Sequence, residues 1–427
     1  MSGIGARLLG ATRDERAALA WSFVYFFALL ASYFVLRPMR DAVGTPYPLP
    51  QLFSITFVCM LVLVPAYGAL VARYPRRAFL PLVYGVFIAC LLVFYVLMRF
   101  DLGKAWRDVT FFVWVAVFNL YAVSVFWSFM SDIFDNTQAR RLFGVIAAGG
   151  TSGTLVGSLF VIAFAKTLGV ANLLLISAAL LGVALVAITQ LVPWARKQEQ
   201  MRGWRSGEDA IGGSIFGGAV LISRSRFLVA CCFLMFFGVA VGTLLYNAQQ
   251  GYARIAIPDQ AARSAYFGKI DFAINVLVLC VQLTLTRWIL VKHGVGPMLV
   301  IPALMMIAGF SLLTASPVPI LLTAVQVLTR AGNFSLIQPA RESLFTRVDR
   351  EARYKSKNFI DTVVYRATDV IVAFAYAGMT SVLGFTRGEI AWVGIGFAFC
   401  MLASVLWVVR LAKALPVDAH KSDEGRA

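Results

Sequence analysis

Apolar residues fall in long runs along this chain, separated by short polar stretches. A bilayer core of roughly 30 Å takes about 20 apolar residues per helix. Runs of that length recur about twelve times, near 17–37, 51–72, 78–98, 110–132, 143–165, 170–193, 227–249, 264–291, 297–314, 317–338, 357–382 and 390–411. The pattern predicts an all-α membrane protein of about twelve transmembrane helices. Only Ser316-Pro-Val-Pro319 divides the ninth run from the tenth. Prolines inside runs, such as Pro65, are compatible with helix because neighbouring helices satisfy the freed carbonyl.

Composition agrees with that reading. Of 427 residues, 60% are hydrophobic and 14% charged, against roughly 25% charged in a soluble domain; the mean hydropathy is +0.80. The net charge of +17 does not make a nucleic-acid surface, because the basic residues sit in short loops between apolar runs. Topology and lipid headgroups explain them. With the termini on one side, 25 Lys and Arg residues fall on that side and 9 on the other, so both termini are expected in the cytoplasm. The longest polar stretch, within 194–226, divides the chain into six-helix halves, 1–193 and 227–411, followed by a tail at 412–427. Cys59, Cys90, Cys231, Cys232, Cys280 and Cys400 all lie in apolar runs without a CxxC pair, and only His293 and His420 are histidines. Neither a disulfide framework nor a histidine metal cluster is expected. The first run reaches Leu36 and carries no cleavage site, so it reads as a retained helix.

Charges inside these runs are the candidate chemistry. One charged side chain at a helix centre costs roughly 2.5 to 3.5 kcal/mol on insertion scales, so such residues usually face a cavity or a partner. Arg40, Lys269, Arg330 and Arg366 are candidate anion ligands, since guanidinium groups hold phosphate or carboxylate in bidentate fashion. Asp271, Asp361 and Asp369 are candidate counter-charges or proton carriers. Arg366 and Asp369, three apart, share a helix face and are expected to pair; Lys269 and Asp271, two apart, are not. The plainer reading of each is an inter-helix salt bridge or a snorkelling side chain. Asn333, Asn247, Gln249 and Gln250 offer neutral donors, though such amides are often only inter-helix glue. Gly149, Gly153 and Gly157 recur every four residues and predict close helix packing; no Lys-Ser/Thr follows them, so they are no phosphate loop.

Two stretches carry family resemblances. Gly68-Ala-Leu-Val-Ala-Arg-Tyr-Pro-Arg-Arg77 resembles the loop between the second and third helices of the major facilitator superfamily, with Gly68, Arg73, Arg76 and Arg77 at the positions of its conformational latch and Ala72 where the family has Asp. Tyr33-Phe-Val-Leu-Arg-Pro-Met-Arg-Asp41, Phe126-Trp-Ser-Phe-Met-Ser-Asp132 and the segment from Phe334 through Arg341-Glu342 to Ile360-Asp361 resemble the ATP/ADP nucleotide transporters of plastids and intracellular bacteria. By that resemblance Arg40 and Asp132 fall on a basic and an acidic residue that matter for exchange. A further Lys of that family falls at or near Asp369 here, a reversed charge that bears on which solute is carried.

These observations point to a secondary active transporter working by alternating access between two related halves. It is expected to move an anionic solute, a nucleotide or another phosphorylated metabolite being the class the resemblance implies, across a bacterial inner membrane. The alternative is a proton-coupled exporter of drugs or other small organic molecules. The sequence has no Walker motif, nucleophile elbow or metal cluster, so an enzyme is not expected. Neither is a cofactor. The expected partners are the small anionic solute and the lipid bilayer, with no nucleic acid, and the chain is expected to be a monomer.

Overall fold

A computed structural model describes residues 12, 15–73, 76–202, 217–345, 348 and 356–413. The middle of the connecting stretch within 194–226, most of the basic loop between Arg341 and Lys357, and all but the start of the tail at 412–427 lie outside the described residues. Twelve long helices run through the described residues: α1 (Glu15–Gly44), α2 (Leu49–Arg73), α3 (Arg76–Arg99), α4 (Lys104–Ile133), α5 (Asn136–Leu168), α6 (Val170–Arg202), α7 (Arg226–Ala256), α8 (Gln260–His293), α9 (Val295–Ala315), α10 (Pro319–Phe345), α11 (356–381) and α12 (Arg387–Ala412). A short helix, Gly217–Arg224, precedes α7. No strand occurs among the described residues. Ten of the helices are long and apolar enough to cross a bilayer. The division at 316–319 holds because Pro319 opens α10 at its first turn, where its missing N–H is not needed.

The chain forms two compact units that do not follow the order of the sequence. One holds Met1–Tyr47, Val62–Ala210 and Ile257–Asn275; the other holds Pro48–Leu61, Ile211–Ala256 and Val276–Ala427. The first stretch of α8 thus packs with the helices of the first half. Likewise the first stretch of α2 packs with those of the second, where the rings of Phe53 and Tyr246 stack 6.0 Å apart.

In the first unit α1 is the central post, with Ala28, Leu29, Ala31, Val35, Leu36 and Met39 fully buried. It lies against α5 backbone to backbone. A Cβ at Gly149 would stand 2.7 Å from the Phe23 carbonyl oxygen, and one at Gly153 or Gly157 closer still to those of Phe27 and Ala31. Only glycine permits that approach. Two polar bridges tie α1 elsewhere: the Tyr25 hydroxyl donates to that of Tyr84 on α3 at 2.7 Å, and Ser32 meets Ser177 of α6 at 2.7 Å. At the start of α1, Glu15 accepts from Gln138 and Arg141 of α5, both at 3.0 Å. Gln138 also closes a capping box with Asp135.

The second unit is built around α7 and the close pair α9 and α12. Gly394 of α12 sits directly under the Phe310 ring of α9, and a Cβ at Gly309 would stand 2.8 Å from Val325 of α10. Phe233 and Phe237 of α7 meet Trp407 and Phe397 of α12 at 6.1 and 6.2 Å.

Substituting Gly153 or Gly157 by Ala is expected to cost about 1–3 kcal/mol, as for other overpacked contacts, because the new methyl meets backbone that cannot rotate away. Gly182→Ala in α6, with nothing within 4 Å of its Cβ position, is expected to be neutral or stabilising by up to about 1 kcal/mol. Thermal unfolding of the three purified variants in one detergent checks the contrast.

Candidate functional site

The last third of α1 brings Tyr33, Phe34, Arg37, Arg40 and Asp41 together, and the first unit supplies their partners. The Arg37 Nη1 lies 3.1 Å from Oδ1 of Asp271 on α8; their side chains are 14% and 2% exposed. Arg40 places Nε and Nη2 on Oδ1 of Asp41, at 3.0 and 2.6 Å. Each guanidinium also lies over a ring, Arg37 5.7 Å from the Phe34 centroid and Arg40 4.9 Å from that of Phe112 on α4. This is the lodging a buried guanidinium requires: a carboxylate to answer its charge and an aromatic face against its weakly hydrated plane. Lys269, two residues before Asp271, points elsewhere. It is exposed and forms no ion pair among the described residues.

Where α3 ends and α4 begins, Arg107 is buried between Asp108, Asp101 and the Leu97 carbonyl, at 2.8, 3.1 and 3.1 Å. Tyr47, in the loop after α1, donates to Asp108 at 3.1 Å. Burial, reinforced by the Asp108 charge, pushes its phenol up to about 12. These contacts fasten the helix ends to one another.

In the second unit the polar set spans α7, α10 and α11. Thr243 of α7 donates to Oδ1 of Asp369 on α11 at 2.7 Å. Arg366, one turn earlier on α11, places Nη1 3.3 Å from Oδ2 of the same carboxylate, as the three-residue spacing predicts. Beside them on α7, Asn247 donates to the Thr243 carbonyl and Gln250 to the Tyr246 hydroxyl, both at 2.8 Å. On α10, Arg330 is half-buried and Asn333, three residues on, is exposed. A second pair of ion bridges lies between α10 and α11, Arg341 to Asp361 at 2.9 Å and Lys357 to Glu342 at 2.6 Å.

Three helices of this unit contain a π turn: Gln282–Thr286 in α8, Asn333–Ile337 in α10 and Ile360–Val364 in α11. A π turn inserts one residue into the helical ladder and often marks a functional position. Two of them are stitched together. Thr286 donates from Oγ1 to the Ser335 carbonyl at 2.9 Å, and Gln282 from Nε2 to that of Phe334 at 3.4 Å. Asn333 opens the turn of α10, and Asp361 lies inside that of α11.

Thus Arg366 meets Asp369 in one cluster, while Asp271 and Asp361 pair with Arg37 and Arg341. Those two arginines, and Thr243, were not among the residues singled out for a site. Gly68 lies inside α2, Arg73 ends it, and Arg76 and Arg77 open α3; Asp132 lies in the last turn of α4. The side chains of these five latch and exchange candidates lie outside the described residues. A cavity in the second unit is apolar, lined by Leu244, Leu245, Phe310 and Leu322 with Tyr376 and Arg387. None of the candidate site residues borders it.

No protein-family model matches the sequence, and no curated protein matches it. Solved structures do. The chain is similar to a POT family transporter in complex with 5-aminolevulinic acid, with a TM-score of 0.64 at 10% identity, covering 93% of this chain and 96% of that one. It is similar to the nucleoside transporter NupG, with a TM-score of 0.58 at 14% identity over 93% and 97% of the two chains. To the POT family transporter PepTSo the TM-score is 0.59 at 14% identity, over 92% and 98%. At such identities the likeness is one of fold. These structures are transporters of the major facilitator type and not enzymes, and the chain has their all-α membrane fold.

Proposed function

We propose that this protein is a secondary transporter that works by alternating access and carries an anionic solute, with nucleotides and other phosphorylated metabolites as the class to test first. The observation that carries the reading is the placing of Arg37, Arg40, Arg330 and Arg366 within helices of a transporter fold. An apolar solute would give no return for charges that cost kilocalories to insert, whereas an oxyanion matches the guanidinium fork. Nucleoside and 5-aminolevulinic acid are the small molecules named with two of the similar structures; one carries a base and the other a carboxylate. The sequence resemblance to nucleotide transporters adds the phosphate.

On this reading Arg40, Asp132, Lys269, Asn333, Arg330 and Arg366 meet the solute. Asp271, Asp361 and Asp369 hold the arginines between transport steps, and Gly68, Arg73, Arg76 and Arg77 form the latch. The halves 1–193 and 227–411 are the moving parts, in a bacterial inner membrane with both termini cytoplasmic. A ligand at about 100 times its dissociation constant adds roughly 2.7 kcal/mol of stability. Nucleotides, sugar phosphates or organic anions are therefore expected to raise the melting temperature of the purified protein and to drive counterflow in proteoliposomes. A panel in which only apolar cations stabilise it would end the anion reading in favour of a drug exporter.

The Arg37–Asp271 bridge joins a helix of the first sequence half to one of the second. Alternating access requires such a bond to form in one state and break in another. Asp271→Asn and Arg37→Gln are each expected to slow counterflow about tenfold or more, since a buried charge left alone costs about 3–5 kcal/mol. The exchange Arg37→Asp with Asp271→Arg is expected to recover a large part of the rate. If the exchanged pair is as slow as either single variant, the bridge is not a gate.

A further inference from the structure

Arg366 uses less of its guanidinium than Arg40 or Arg107; Arg37 likewise has a single ion contact, from Nη1, but is less exposed. Arg40 spends both Nε and Nη2 on Asp41, and Arg107 spends Nε and Nη1 on two carboxylates and a carbonyl. Arg366 makes one contact, from Nη1, and its 3.3 Å is long beside the roughly 2.7–2.9 Å of a charge-assisted bond. Among the described residues Nε and Nη2 have no acceptor. The side chain is 25% exposed, against 14% for Arg37 and 15% for Arg40.

The guanidinium is also held in place. The Arg366 Cζ lies over the Tyr365 ring, 5.2 Å from its centroid. Asp369 is 7% exposed, and its other oxygen is fixed from α7 by the Thr243 hydroxyl at 2.7 Å. Thr243 is itself 4% exposed. A carboxylate pinned in this way steadies Nη1 while leaving the Nε and Nη2 donors aimed away from it. Those two parallel N–H groups match the two oxygens of a carboxylate or a phosphate monoester, which a lysine ammonium does not.

We infer that Arg366 is a preset fork that reads one terminal oxyanion of the solute edge-on through Nε and Nη2, with Thr243 and Asp369 as positioning residues and Tyr365 as the plane behind it. The inference rests on the anion-transporter reading and narrows it. The solute carries an accessible carboxylate or phosphate, and its recognition depends on the shape of the cation as well as its charge.

The test uses the purified full-length protein and two matched probe pairs, AMP with adenosine and benzoate with benzamide, titrated by thermal shift. Wild type, Arg366→Lys, Thr243→Val and Thr243→Ser are compared, and the melting temperature of each without probe controls for folding. At least one charged probe is expected to stabilise the wild type while its neutral counterpart does not; which pair responds separates phosphate from carboxylate. Losing a bidentate contact to a charged group is expected to weaken binding about 10- to 100-fold in Arg366→Lys. Thr243→Val is expected to weaken it several-fold, and Thr243→Ser, which keeps the hydroxyl, to bind within about twofold of wild type. Wild-type affinity in Arg366→Lys overturns the fork and leaves anion transport standing. Wild-type affinity in Thr243→Val overturns the positioning role. If neither AMP nor benzoate binds or drives counterflow, both the fork and the reading beneath it fall.

Discussion

A guanidinium lodged among apolar side chains has to be answered by a carboxylate, and this requirement organises the polar interior of both compact units. Arg37 and Arg40 near the end of α1 are answered by Asp271 and Asp41, Arg341 by Asp361 and Arg366 by Asp369. Each pair is nearly neutral as a unit, which is what lets these helices remain compatible with a bilayer. Where the partner comes from another helix, the pair also joins elements far apart in the sequence. Arg37 joins α1 to α8, Arg341 joins α10 to α11, and Thr243 with Asp369 joins α7 to α11. Leaving one partner behind is far costlier than never having had the pair, so these joints resist piecemeal change.

Much of this was legible before any coordinates. Segment length alone locates the twelve helices, because twenty apolar residues have few other fates. The four-residue spacing of Gly149, Gly153 and Gly157 announces a close helix contact, and the three-residue spacing of Arg366 and Asp369 announces their bridge, since both depend only on the helical period. What spacing within one helix cannot supply is the identity of the partner across a helix contact. Hence Asp271 is recognisable from sequence as a candidate counter-charge, while its partner Arg37 is identified only by the contact between α1 and α8. Thr243 likewise gains its role only from the Asp369 carboxylate of another helix, 2.7 Å away. The π turns left no mark at all. Their residues, such as Asn333-Phe-Ser-Leu-Ile337, have no composition that separates a five-residue turn from a regular one. In α10 the turn is met by tertiary contacts, α8 side chains that donate to its carbonyls.

The two halves of the sequence share a helix count and a loop pattern, yet they are not equivalent in detail. The three π turns among the described residues fall in the second half, in α8, α10 and α11, while α2, α4 and α5 run as unbroken α-helices through their described residues. The close backbone contact of α1 with α5 makes the first half stiff: carbonyl oxygens meet glycine Cα atoms with no side chain between them to rearrange. In α10 the ladder is interrupted where Asn333 is presented, and in α11 where Asp361 meets Arg341. A π turn leaves the helical register one residue out of step, so a small local shift can move its carbonyls between partners.

This division suits the chemistry. The positions that must hold a fixed shape are built on glycine contacts and mutually satisfied polar pairs, as at Glu15, Gln138 and Arg141 or around Arg107. Arg366 by contrast keeps a surplus of donors, its five N–H groups meeting a single acceptor among the described residues. An arginine satisfied on every edge can only hold a helix in place. One satisfied at a single atom, lying over the Tyr365 ring and with its counter-charge anchored from another helix, keeps donors in hand while its own charge stays answered. Arginines in these helices therefore differ in how many of their hydrogen bonds the protein has left unmade, and this does not follow from depth or charge alone.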